Sequence, residues 1–162
     1  MTIDGDAYRR IIGHFATGVT VVTTAHDGWL HGMTANALTS VSLDPLLLLI
    51  CVDKSAHAHE QLDKAGSFAV NILAVEQEEI SKTFAVSSEP EQGELRGVPY
   101  RLGPHGSPVL EGCLAYVECE VSDRFVGGDH TLFMGAVLGG ELLREAAPLL
   151  FYQGRYQRIK EA

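Results

Sequence analysis

Lys54 and Ser55 stand where an apolar strand-like run, Leu46 to Val52, gives way through Asp53 to a helical pattern. The free N–H groups and the dipole at a helix N-terminus attract an anion. A lysine there adds a point charge and a serine a hydrogen bond, a combination suited to an anion. The plainer alternative leaves Ser55 capping its own helix and Lys54 in solvent. Ahead of the strand lies MTANALTS, Met33 to Ser40. Its small Ala35 and Ala37 let backbone N–H and C=O groups approach a flat ligand. Thr34, Asn36, Thr39 and Ser40 supply neutral donors and acceptors. That chemistry fits a heteroaromatic ring with carbonyls and ring nitrogens better than a metal or a sugar acid. An ordinary polar turn is the competing reading.

Other reactive residue types suggest little. His57 and His59 lie two apart, and on a helix such residues point to different faces, so joint chelation is not expected. Cys51, Cys113 and Cys119 form no C-x-x-C pair and sit in apolar or alternating contexts. They read as small buried side chains rather than a disulfide framework or a thiolate metal site.

The elements that must position these residues are mostly strands. A helix is expected over Ala7 to Phe15 with Asp6 as its cap. VTVVTT, Val19 to Thr24, is a β-branched strand, and the turn His26-Asp27-Gly28 joins it to a second from Trp29 to Met33. Leu46 to Val52 is a buried strand, and Ser55 to Lys64 a short helix capped by Ser55. Phe68 to Leu73 is a strand and Glu76 to Ala85 an amphipathic helix. The Gly-, Pro- and charge-rich stretch from 87 to 107 reads as a long, mobile surface loop. Leu114 to Phe125 alternates as a half-buried strand, answered by Leu132 to Leu138 across Gly127-Gly128-Asp129. Leu149 to Tyr152 and Arg155 to Ile159 close the chain around Gly154. Hairpins with inserted helices imply a mainly β fold, an antiparallel barrel with peripheral short helices.

The 162 residues are most simply one domain, 1–162. Their 21 acidic and 12 basic residues give a net charge of −9, which argues against nucleic acid or an anionic membrane as partner. The opening MTIDGDAYRR has no basic region followed by an apolar core, and no apolar run approaches the ~18 residues of a membrane helix. A cytoplasmic protein is the expectation.

FATGVTVVT (15–23), GMTAN (32–36), TSVSLDP (39–45), VDKS (52–55) and GGDHTLF (127–133) occur in an order that resembles the short-chain flavin reductase family. The resemblance spans Tyr8 to Ile159. It implies an FMN-binding split β-barrel, usually a homodimer, which transfers hydride from NADH or NADPH to FMN or FAD and supplies reduced flavin to a partner flavin-dependent monooxygenase. By that resemblance Thr34, Ala35, Asn36, Ala37 and Ser40 contact the isoalloxazine and ribityl groups. Lys54 and Ser55 grip phosphate, with His57 in the next turn, while Phe84 and Tyr152 lie near the flavin and His130 on the nicotinamide side. Departures from the family pattern are Ala37 for a serine, Leu46 for a proline, and Ala56-His57-Ala58 where hydroxyl residues are common. They leave FMN against FAD open.

Such chemistry needs no catalytic side chain, because the cofactors carry the electrons. The sequence has no G-x-G-x-x-G turn, so the dinucleotide is expected in an open groove rather than on a Rossmann fold. No visible arginine cluster awaits a 2′-phosphate, which leans toward NADH. A non-catalytic flavin carrier or sensor of the same fold is the alternative.

Overall fold

The computed structural model describes residues 2–160. Helix α1, Gly5–Ile12, starts at Asp4, whose carboxylate accepts from the Ala7 N–H at 2.7 Å. The cap is therefore Asp4 rather than the expected Asp6, which lies inside the first turn and pairs with Arg9. No residue of α1 is buried within the chain. After β1 (Thr17–Gly18), β2 (Thr20–His26) and β3 (Trp29–Ala35) form the expected hairpin. Asp27 and Gly28 have φ of +50° and +81°, the left-handed pair that a tight two-residue β-turn requires.

β4 (Leu38–Leu43) and β5 (Leu46–Asp53) pair next, followed by α2 (His57–Ala65) and β6 (Ser67–Ile72). The N-cap of α2 is Ala56, which has no side-chain hydrogen bond to offer. Ser55 was expected there, but its hydroxyl and its N–H both donate to Asp53, at 2.7 and 2.8 Å. A 3-10 turn leads into α3 (Glu78–Ala85), then β7 (Glu91–Gln92), β8 (Tyr100–Leu102) and β9 (Pro108–Leu110). The long strands β10 (Ala115–Gly127) and β11 (His130–Leu142) precede β12 (Leu150–Tyr152) and β13 (Arg155–Gln157).

Eight strands form one antiparallel sheet in the order β4-β5-β11-β10-β6-β2-β3-β7. The mainly β, antiparallel expectation holds. β1, β12 and β13 make a separate three-stranded sheet in which Thr17 pairs with Phe151, so the two ends of the chain meet. One core cluster holds Ile50, Leu62, Phe68 and Phe133 beneath α2. Another holds Val21, Leu73, Phe84, Leu95 and Leu149 beneath α3. β2 serves both: Val21 faces one and Val22 the other, as strand alternation demands. Each fully buried Leu, Ile or Phe contributes roughly 1.5–3 kcal/mol.

The stretch from 87 to 107 is not the loose loop its composition suggests. Leu95 is buried, and Arg96 donates through Nη1 to the carbonyls of Thr83 and Val86 at 2.9 and 3.0 Å. Farther on, the Glu118 carboxylate accepts from the backbone N–H of His105 and of Ser107. Glu118 is 1% exposed because this segment covers its face of β10, while Cys119 beside it turns to the opposite face and the core beneath α2.

Candidate functional site

The site is built where β3 turns into β4. On β3, Gly32 leaves room for the Phe84 ring: a Cβ at Gly32 would lie 2.6 Å from Phe84 Cδ1. Farther along, three hydrogen bonds fix the strand end. Thr34 Oγ1 donates to the Ser81 carbonyl at 2.6 Å, Thr20 Oγ1 to the Ala35 carbonyl at 2.6 Å, and Asn36 Nδ2 to Thr17 Oγ1 at 3.2 Å. Ala37 is tied from below, its carbonyl accepting from the Cys51 N–H at 3.0 Å. The backbone of this turn is thus held by β1, β2, β5 and α3 before any ligand arrives.

Beside the turn opens a cavity of about 620 Å³, within the ~300–1,000 Å³ range of small-molecule sites. Asn36, Ala37 and Thr39 form one wall, Leu49 and Cys51 the floor, and Phe15 and Phe151 the other side. The two-faced apolar character of β5 now has a cause. Leu48, Ile50 and Val52 turn into the core, while Leu49 and Cys51 turn to the cavity. Arg9 and Cys51 are the titratable residues of the lining, and burial pushes the Cys51 thiol above its ordinary pKa, so it stays neutral. Nothing in this lining offers an acid–base pair. Apart from Arg9 it offers flat apolar surface and neutral polar groups.

Thr34, His57 and Phe84 come together elsewhere, around a smaller recess of about 190 Å³ closed by His31, Ser87 and Ser88. His31 is buried there, its Nε2 3.0 Å from the Ser88 carbonyl oxygen. His57 lies at the first turn of α2, 3.4 Å from Glu89, whereas His59 reaches Thr131 Oγ1 at 2.8 Å. The two imidazoles therefore serve different partners.

Lys54 lines neither recess and reaches across to the β10–β11 turn, donating to the Gly128 carbonyl at 2.7 Å. His130 follows that turn, opposite Asp53, with Nδ1 2.7 Å from Asp129. The imidazole beside it holds the Asp129 carboxyl below its usual range, and the two bonds from Ser55 do the same for Asp53. Ser40 is exposed on β4, just past Thr39. Tyr152 lies half-buried, edge-on to His14 with ring centres 6.0 Å apart, and its neighbours Phe151 and Gln153 line the cavity. The sequence reading did not anticipate Phe15, Leu49, Cys51, Phe151, Ser81 or Tyr156. For Leu49 and Cys51 the unbroken apolar run of β5 was the signal. Phe151 arrives only through its pairing with Thr17, far away in the chain.

The family model described as "Flavin reductase like domain" matches residues 12–160. The chain belongs to the flavin reductase family. It is 38% identical over 163 residues to the "Flavin-dependent monooxygenase, reductase subunit HsaB" of Mycobacterium tuberculosis, covering 98% of this chain and 84% of that protein. It is 41% identical over 153 residues to the "NADH-dependent FAD reductase" of Streptomyces globisporus, covering 93% of this chain and 84% of the relative. A solved structure of the Streptomyces globisporus C-1027 NADH:FAD oxidoreductase SgcE6, in complex with NAD and FAD fragments, superposes with a TM-score of 0.88 at 38% identity. That match covers 99% of this chain and 97% of the solved one. Within this flavin reductase the match takes in the β3–β4 turn, β5 and the terminal sheet, the parts that surround the cavity. Among the described residues no helix is long and apolar enough to cross a membrane.

Proposed function

We propose that this chain is the NADH-dependent flavin reductase of a two-component monooxygenase system. The carrying observation is the open, apolar cavity of about 620 Å³ beside a pre-fixed polar turn. Its lining fits a flavin ring: neutral amide and hydroxyl groups from Asn36 and Thr39 on one side, and Leu49, Cys51 and two phenylalanines against the flat faces. When bound, the flavin and the nicotinamide supply the redox chemistry, a hydride passing from one ring to the other. The chain's own work is placement. Asn36 and Ala37 present backbone and amide groups to the ring edge, and the apolar walls exclude water and hold the reacting rings in contact.

In this reading His57 and the α2 N-terminus attract the phosphates, with Lys54 and Ser55 flanking them at the strand end. His130, on the rim, meets the nicotinamide half. Ser40 and Tyr152 support the ring from the margins, and Phe84 backs the strand. Three free thiols suit a reducing compartment, which supports a cytoplasmic reaction in this reading.

The proposal includes a homodimer with a split barrel in each subunit. Its support is the apolar rim of the cavity: Ile11, Ile12 and Phe15 beside it are 62%, 48% and 72% exposed. A helix that buries nothing in its own chain needs a partner surface, and a two-fold axis supplies one. The test is NADH oxidation followed by absorbance with FAD and FMN in turn, under air, together with molar mass from light scattering. Flavin-dependent turnover by a particle of twice the chain mass is expected. A monomer with full activity removes the dimer, and NADH consumption independent of added flavin removes the function.

A further inference from the structure

The Tyr156 hydroxyl lies 2.7 Å from Ser81 Oγ, and the carbonyl of that same Ser81 accepts from Thr34 Oγ1 at 2.6 Å. Ser81 is fully buried. The three residues come from α3, β3 and β13, elements that share no strand pairing. They close a recess of about 170 Å³ together with Asn36 and Phe151, and Phe151 also forms a wall of the large cavity. The Tyr156 and Phe151 rings meet edge-on with centres 5.6 Å apart, so Tyr156 steadies that wall as well.

We infer that Tyr156 is a positioning residue for the flavin-facing end of β3, acting through Ser81 on Thr34 and Asn36. The inference rests on the proposed flavin site. The physical argument is one of stiffness. The hydroxyl of Ser81 fixes where α3 sits, and the backbone of Ser81 in turn fixes Thr34. Two residues past Thr34, Asn36 begins the turn that borders the cavity. β13 has three residues and pairs within the small terminal sheet, so without the Tyr156–Ser81 bond that sheet is joined to α3 by packing alone. A strand end free to shift by a fraction of an ångström holds a flat ligand less well, because part of the binding free energy must then go to ordering it.

The experiment is a double-mutant cycle with Tyr156→Phe and Ser81→Ala, measured in the full chain. The Phe variant keeps the ring and its contact with Phe151. The expected result is a rise of about five-fold in the flavin KM and in the flavin Kd from fluorescence quenching, with kcat at saturating flavin unchanged. The double variant should equal either single one, since both remove the same bond. A purely structural role would lower the Tm and the active fraction, hence kcat, while leaving KM alone. That outcome overturns the proposal, as does multiplication of the two effects. If Ser81→Ala fails to fold, the KM-against-kcat split of Tyr156→Phe decides alone. Wild-type protein that shows no flavin-dependent NADH oxidation fails the proposed function instead, and that control is read before either variant.

Discussion

Lys54 Nζ lies 2.7 Å from the carbonyl oxygen of Gly128, so the strand-to-helix junction and the tip of the longest hairpin are fastened together. The Lys54 N–H reinforces the link by donating to the Asp129 carbonyl at 3.0 Å. The turn that presents His130 is therefore held from the opposite side of the site.

This fastening sets the outcome of Lys54→Ala. Loss of the ammonium removes one of the two bonds and loosens the turn that carries His130, so the NADH KM should rise about five-fold, the worth of one charge-assisted bond at the surface. Steady-state kinetics with NADH varied at saturating flavin check it. A larger rise in the flavin Kd than in the NADH KM would show that the flanking role of Lys54 at the phosphates outweighs its hold on the turn.

Cys51 provides a chemical probe of the cavity. Burial raises its thiol above the ordinary range, and it pushes the Cys119 thiol up to about 12. With iodoacetamide in mildly alkaline buffer, Cys51 should be alkylated slowly, with Cys113 and Cys119 unmodified in the folded protein. Flavin at saturating concentration should slow the Cys51 reaction further. Peptide mass spectrometry with and without flavin reads both effects.

His31 governs a part of the acid stability. Burial is the largest influence and lowers its pKa, opposed by the Ser88 carbonyl and Glu89 and aided by His57 and Arg96. A histidine with a depressed folded pKa binds its proton more readily when unfolded. Stability from this group is therefore lost as pH falls below ~6.5, and the loss levels off beneath the folded value. Tm against pH for the wild type and His31→Gln checks this: the variant should show a flatter curve in that window.

Arg96 holds the segment after α3. Its Nη1 satisfies two carbonyls at the helix end, while its own N–H donates to Glu91 Oε2 at 2.8 Å. Arg96→Ala should cost about 2 kcal/mol, because two carbonyls lose a charged donor. Urea unfolding should show a lower midpoint at unchanged slope.

What the sequence revealed and what it hid follow one physical division. The hairpins at Asp27-Gly28 and at Gly128 were legible because alternation and left-handed turn residues are local signals. The strand Leu46 to Val52 was legible as well, but its two-faced apolarity read only as burial, whereas Leu49 and Cys51 form the cavity floor. Helix caps were misread where a nearer acceptor or donor won. Ser55 had Asp53 two residues away, and Asp4 took the Ala7 N–H while Asp6, inside the first turn, paired with Arg9. The stretch from 87 to 107 looked mobile because its anchors are distant in sequence: Thr83 and Val86 for Arg96, Glu118 for His105 and Ser107. Alternation alone also could not show that the second face of β10 at Glu118 is covered, because the cover comes from the loop at His105 and Ser107.

The pairing of Thr17 with Phe151 also orders events during synthesis. The eight-stranded sheet is complete once Leu142 has emerged, with its long hairpin zipped. The far wall of the cavity comes from Phe151, Gln153 and Gly154, nine or more positions later. A nascent chain thus forms its large sheet and the cluster beneath α2 while the cluster beneath α3 still lacks Leu149 and the groove lacks one side, since contacts between distant segments close last. If flavin binds in this groove, its capture waits for the segment Phe151 to Gly154, and a chain that stops before Phe151 should keep the long hairpin but fail to retain the ring.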